Sequence, residues 1–330
     1  MSSKKILYVA LTFDVENDFD YFLNESRLKD RTKFGWLGIE KGIPSILKAL
    51  NGFEDAFGNG ARATWFARVD GTLKKEYGDE GYLLVKHDKL WKSLLREGHE
   101  IGLHPHLYRP FRGAWLQETR EEYLVDKLEK SYEAMTKHGF LSTSSRIGEA
   151  YMTNEIMATL SRLGIKIDST ALPGRFRKDS VKSIDWRGSS QTPYRPSKTN
   201  YRVTSETPLD IIEAPMSTVE TKVDYDKRPL RRYVNLSFHN EVLQRGIGEH
   251  IQSNDLLVTV THVFEILPEL AGKKKHPLIS FDVGELRKNI ETIINECSKA
   301  KKKYKFIRLS DIVYLVKENS RFSGRDYAKS

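Results

Sequence analysis

Short apolar runs of strand character alternate with longer amphipathic stretches from one end of this chain to the other. The runs lie at residues 6–13, 61–67, 99–103, 144–147, 165–168, 210–214, 256–260 and 305–309. Amphipathic patterns fill 43–50, 90–96, 118–137, 154–163, 281–300 and 310–316. Strand followed by helix, repeated in this way, predicts parallel βα units and an α/β fold. Gly98 and Gly164 stand where a helix must stop before a strand, a place that suits glycine. Thr153 before Asn154, and Ser310 before Asp311, read as helix starts. With 330 residues there is ample length for a large core, and no repeat of solenoid length interrupts it.

Acidic and imidazole side chains gather where the apolar runs give out. The first run ends in DVEND, with Asp14 and Glu16, although ionised carboxylates are costly to desolvate without partners. The third ends in HEIGLHPH, which brings His104 and His106 to a strand end. The other runs contribute Arg68 and Asp70, Arg146 and Glu149, Asp168, and His262 with Glu265. In a barrel of parallel strands such residues project from one face and converge. Two acids and two imidazoles then suggest a divalent metal site with room for water. The remaining histidines (87, 99, 138, 239, 250 and 276) are read as packed or hydrogen-bonded structural residues.

The net charge of +9 favours anionic partners, and it is unevenly spread. Between Gly174 and Arg202 stand Arg175, Arg177, Lys178, Lys182, Arg187, Arg195, Lys198 and Arg202, against only Asp179 and Asp185. Residues 173–207 lack periodicity and carry Trp186, Tyr194 and Tyr201. The segment is expected to be a substrate-facing loop, with Trp186, Arg187 and Tyr194, together with Arg68 and Asp70, as substrate-contact candidates. Nucleic acid is not expected, because the basic residues sit in one loop with no recognisable binding module. A single cysteine, Cys297, rules out an intramolecular disulfide. The apolar run after MSSKK is short and stops at Asp14, and no stretch approaches membrane-spanning length. The expectation is a soluble protein of the reducing cytoplasm.

Five segments, in order, resemble the motifs of the polysaccharide deacetylases, the family-4 carbohydrate esterase superfamily. They are TFDVE at 12–16, GHEIGLHPH at 98–106, SSRIGEAY at 144–151, GIKIDSTALPG at 164–174 and VTVTHVFE at 258–265. The resemblance runs from about residue 6 to about 315 and treats 1–330 as one catalytic domain. It implies a distorted (β/α) barrel of about seven strands, a divalent metal, most often zinc, and hydrolysis of an acyl group from a sugar. Asp14 resembles the catalytic base, Arg146 the arginine that holds it, and His262 the general acid. Asp168 resembles the aspartate that orients that acid, and Glu16 and His104 resemble metal ligands. The chain departs from the pattern twice. Val15 separates two acids that are adjacent in the family, and Tyr108 stands where the family has its second metal histidine, so His106 becomes the substitute ligand.

The implied chemistry is coherent. An ion held by three protein groups keeps a position for water and lowers its pKa to about 7. An amine leaves only when protonated, so an acid distinct from the base is needed, and His262 fits that need. A carboxylate beside His262 would raise its pKa, while Arg146 beside Asp14 would keep the base ionised. The expected function is removal of an acetyl or formyl group from an amino sugar, on a phosphate-bearing nucleotide- or lipid-linked precursor of a surface polysaccharide such as lipopolysaccharide or capsule. The alternatives are an amidohydrolase of a small non-sugar amide and a non-catalytic relative that binds sugar or metal.

Overall fold

A computed structural model describes residues 5–18, 35–112, 114–271 and 275–318. Nine strands form its main sheet: β1 (Ile6–Val15), β2 (Ala63–Arg68), β3 (Glu100–His104), β4 (Ser144–Ser145), β5 (Ile167–Asp168), β6 (Ile212–Glu213), β7 (Leu256–Val258), β8 (Thr261–His262) and β9 (Lys303–Phe306). Their order is β6-β5-β4-β3-β2-β1-β7, and β8 and β9 also pair with β1. The registered pairs in this sheet are parallel. The fold is α/β, a curled parallel sheet of the distorted (β/α) barrel type.

The chain divides into two compact groups, Met1–Ala63 with Ser217–Ile307, and Thr64–Met216 with Arg308–Ser330. In the first group β1 is buried from Val9 to Val15, so it reads as a continuous apolar run rather than an alternating one. It is tied to the end of β7 by Thr12, whose amide donates to Thr259 Oγ1 (3.2 Å) and whose hydroxyl donates to the Thr259 carbonyl. The helix Ile43–Leu50 follows a π-helical turn at Gly38–Gly42. Gly42 lies so close to the chain after β8 that a Cβ there would meet the Val263 carbonyl oxygen at 2.1 Å. The glycine therefore permits the helix to lie against the segment carrying His262.

The helix Asn240–Ser253 of this group is not evident from the sequence, because Gly246 and Gly248 dilute its pattern. Gly246 has a packing reason: a Cβ would come within 3.0 Å of Val219 and 3.1 Å of the Glu220 carbonyl, on the strand Thr218–Thr221. That strand pairs antiparallel with Leu230–Tyr233.

In the second group β2 and β3 are buried throughout. The helices Asp88–Arg96, Glu121–Lys137 and Asn154–Arg162 lie within stretches expected to be helical or overlap them closely. Thr153 caps the last of these, accepting from the Ile156 amide at 3.2 Å. Gly98 and Gly164 have φ of 83° and 87°, as their stop positions require. The start expected at Ser310 is instead a 3-10 turn, Leu309–Asp311, closed by Asp311 on the Arg308 amide (2.9 Å). Residues 173–207 are not wholly loop. Phe176–Lys178 and Ser183–Asp185 form an antiparallel hairpin. Among the described residues no helix is long and apolar enough to cross a membrane.

Candidate metal centre

Asp14 and Glu16 stand two residues apart at the end of β1, and both are buried. β8 runs parallel beside them, with His262 in register with Asp14. The His262 ring lies between two carboxylates: its Nε2 is 3.1 Å from Glu16 Oε1, and its Nδ1 is 3.1 Å from Glu265 Oε1. Glu265 is fully buried and fixed through its other oxygen, which accepts from Asn235 Nδ2 (2.7 Å), Ser237 Oγ (2.8 Å) and the His262 amide (3.2 Å). Burial alone would lower the pKa of His262. The adjacent carboxylates of Glu265 and Glu16 outweigh it and hold the ring well above its usual value. Burial raises Glu265, but the His262 charge and its own donors bring it below the usual carboxylate value. Burial pushes nearby Tyr233 up to about 12, and the negative charges of Glu265, Asp14 and Glu16 add to that.

The two histidines of the second group follow from the end of β3. Their rings are 5.0 Å apart, centroid to centroid, and nearly perpendicular. His104 Nδ1 bonds the Arg146 carbonyl (2.7 Å). His106 Nδ1 meets the Tyr108 hydroxyl (2.9 Å), which itself donates to Glu149 Oε1 (2.5 Å). Each ring is thus oriented through Nδ1, which directs Nε2 to the ligand role. The His106 backbone is held too, since its amide donates to Asp70 Oδ2 (3.2 Å).

One ligand atom each from Glu16, His104 and His106 lie within 4.8 Å of one another, and all three residues are buried. Two imidazoles and a carboxylate form a donor set that suits a borderline divalent ion, and three protein ligands leave a position for water or substrate. The orientation of both histidines through Nδ1 supports that fit.

Arg146 is buried, with Nε donating to the Ser169 carbonyl (2.9 Å) and Nη2 to Ser169 Oγ (3.1 Å). Its guanidinium carbon lies 4.4 Å from the centre of the Phe66 ring. Asp168 is bonded among its neighbours, accepting from Ser145 Oγ (2.6 Å) and the Thr170 amide (3.0 Å). It pairs in register with Glu213 of β6, which is also fully buried. Burial raises both carboxyls, Glu213 strongly, with the adjacent Asp168 charge adding to the effect. The carboxylate on His262 Nδ1 is Glu265, a residue visible three positions on in THVFE.

The substrate-contact candidates fall into two sets. Arg68 and Asp70 form a buried ion pair (2.7 Å), and Asp70 also caps the helix Gly71–Tyr77 through the Thr72 amide (2.8 Å). Burial raises Asp70, but Arg68 and His106 bring it below its usual value. Trp186 is fully buried, with Nε1 donating to the Ala150 carbonyl (2.9 Å), and buried Tyr194 donates its hydroxyl to the Tyr201 carbonyl (2.9 Å). Arg187 is exposed and forks onto Asp185, which Arg202 also reaches at 3.0 Å. Arg195 pairs with Asp210 at 3.0 Å. Part of the positive charge in this segment is therefore answered internally.

No family model matches the chain, and no curated protein does. Solved structures do. A candidate polysaccharide deacetylase from Mycobacterium smegmatis matches at a TM-score of 0.55 and 18% identity, over 100% of this chain and 96% of that one. A family 4 carbohydrate esterase from Streptomyces lividans, in complex with acetate, matches at 0.39 and 11%, over 92% and 94%. A candidate polysaccharide deacetylase from Bordetella bronchiseptica, described as involved in O-antigen biosynthesis, matches at 0.36 and 14%, over 94% and 90%. TM-scores below 0.5 decide nothing here. The first likeness fixes the fold: this chain has the polysaccharide deacetylase fold. On that fold, Glu16, His104 and His106 form a cluster that could hold a metal ion.

Proposed function

We propose that this chain is a polysaccharide deacetylase relative that removes an acetyl or formyl group from the nitrogen of an amino sugar, with 1–330 as one catalytic domain. The observation that carries the reading is the Glu16, His104 and His106 cluster, together with the His262 imidazole, set between two carboxylates and in register with Asp14. Glu16, His104 and His106 would hold the ion, with zinc as the favoured metal. Once bound, it would polarise the acyl carbonyl and acidify a water beside it.

Asp14 is assigned as the general base that takes the proton from the attacking water. Arg146, fixed by Ser169, is assigned to hold that base in place. His262 is assigned as the general acid, giving its proton to the departing nitrogen as the C–N bond breaks. The products are a free carboxylic acid and an amine. Glu265 holds the His262 ring, and Asp168 supports the strand ends around Ser145 and Thr170. Arg187, once released from Asp185, and other cations of 173–207 are assigned to a phosphate-bearing substrate, because guanidinium forks match phosphate oxygens. The reaction is assigned to the cytoplasm, with a nucleotide- or lipid-linked precursor of a surface polysaccharide as its substrate.

The test is to incubate zinc-loaded protein with N-acetyl and N-formyl nucleotide sugars and to follow release of acetate or formate. Wild type should release acid, and Asp14→Asn should be slower by roughly 10²–10⁴-fold. Equal rates would remove Asp14 from the mechanism. Zinc binding without turnover of any panel member would favour a non-catalytic metal-binding relative, or a substrate outside the sugars.

A further inference from the structure

His106 is oriented by more than its neighbour in sequence. From His106 Nδ1 a chain of contacts runs through the Tyr108 hydroxyl to Glu149 Oε1, and Glu149 Oε2 pairs with Lys182 Nζ. We propose that Glu149, acting through Tyr108, is a positioning residue for the metal ligand His106, and that Lys182 secures it from the basic hairpin. The inference rests on the metal-site reading above.

The contacts set the tautomer. A Tyr108 hydroxyl that donates to a carboxylate can only accept from His106, so Nδ1 carries the proton and Nε2 keeps its lone pair for an ion. The backbone around Glu149 is shaped to the same end. Glu149 and Ala150 have φ of 58° and 54°, left-handed values that are strained for non-glycine residues. Strain of that kind persists only where surrounding contacts impose it. Here they are visible: Trp186 Nε1 fixes the Ala150 carbonyl, and Lys182, its side chain only 10% exposed, pairs with the Glu149 carboxylate. Gly148 lies directly against the ligand, where a Cβ would fall 2.6 Å from the His106 ring. The turn Gly148–Ala150 therefore touches His106 directly through one residue and by relay through the next. Tyr108 stands four residues after His104, so a tyrosine there supports the ligand supplied two residues earlier.

The experiment measures zinc affinity by competition with a chromogenic chelator, for wild type, Tyr108→Phe, Glu149→Gln and the double variant. Each single change should weaken zinc binding by about 10–100-fold. The double should bind no more weakly than Tyr108→Phe alone, because Glu149 acts through that hydroxyl. Tyr108→Phe removes one oxygen from a partly exposed side chain, so the metal-free protein should keep its melting temperature. Variants that bind zinc like wild type, or losses that add independently in the double, would overturn the relay while leaving the metal site intact. A wild type that binds no zinc would overturn the metal-site reading, and the relay with it.

Discussion

His262 carries its ring between Glu16 and Glu265, and the difference between those two carboxylates sets what each does. Glu16 also belongs to the metal cluster, whereas Glu265 is fixed by Asn235 and Ser237 and faces Nδ1. Only Glu265 is free of the ion's demands, so it is the group expected to hold the acid in place during turnover. Glu265→Gln keeps the shape and removes the charge. It should lower the rate of acid release about 10–100-fold and move its high-pH limb to lower pH. The sign follows from the carboxylates, which raise the pKa of His262 and so extend its protonated range upward. A high-pH limb unchanged in the variant would dissociate Glu265 from the acid. At this scale the sequence made several site residues visible, because carboxylates and imidazoles at strand ends are costly without a task. It named Asp168 as the partner of His262, whereas the carboxylate bonded to His262 Nδ1 is Glu265 and Asp168 is bonded to Ser145; both stand near strand ends, and only their bonding separates them.

Elements were legible where one face is apolar and the ends are marked. The stretch 43–50 is helical as read, and Thr153 caps its helix through the hydroxyl. Boundaries failed where a side chain outside the helix takes up the first amides. The stretch read from residue 118 becomes helical only at Glu121, because buried Glu118 accepts from the Thr119 amide (3.0 Å) and the Arg120 amide (3.2 Å). Arg120 also forks its guanidinium onto this carboxylate, and that bond, against the opposing effect of burial, lowers its pKa from 4.5 to about 2. A carboxyl depressed on folding adds stability that is present above its unfolded pKa and is lost as pH falls from about 4.5 toward 2. Urea unfolding at pH 7 and pH 3 should therefore show wild type losing more stability on acidification than Glu118→Gln. Equal losses would mean that the fork does not persist in solution. The hairpins were missed for a different reason, since strands of three or four residues are too short to show a period.

For the whole molecule, the alternation of strands and helices carried the fold class, and parallel pairing follows from it. Substrate identity is less legible, because it depends on which cations remain available. The stretch rich in arginine and lysine turned out to be partly self-neutralised, with Asp185 engaging Arg187 and Arg202, and Glu149 engaging Lys182. Charge counted along a sequence overstates what a ligand meets, since folded cations find acids first. The central claim is narrower than the substrate: the cluster of Glu16, His104 and His106 can hold one divalent ion. Anomalous diffraction from crystals grown with zinc, collected at the zinc edge, tests it directly. The account predicts a strong peak within coordination distance of those three side chains, absent in a His104→Ala crystal. A map with no peak there, or one whose peak survives that substitution, would contradict it.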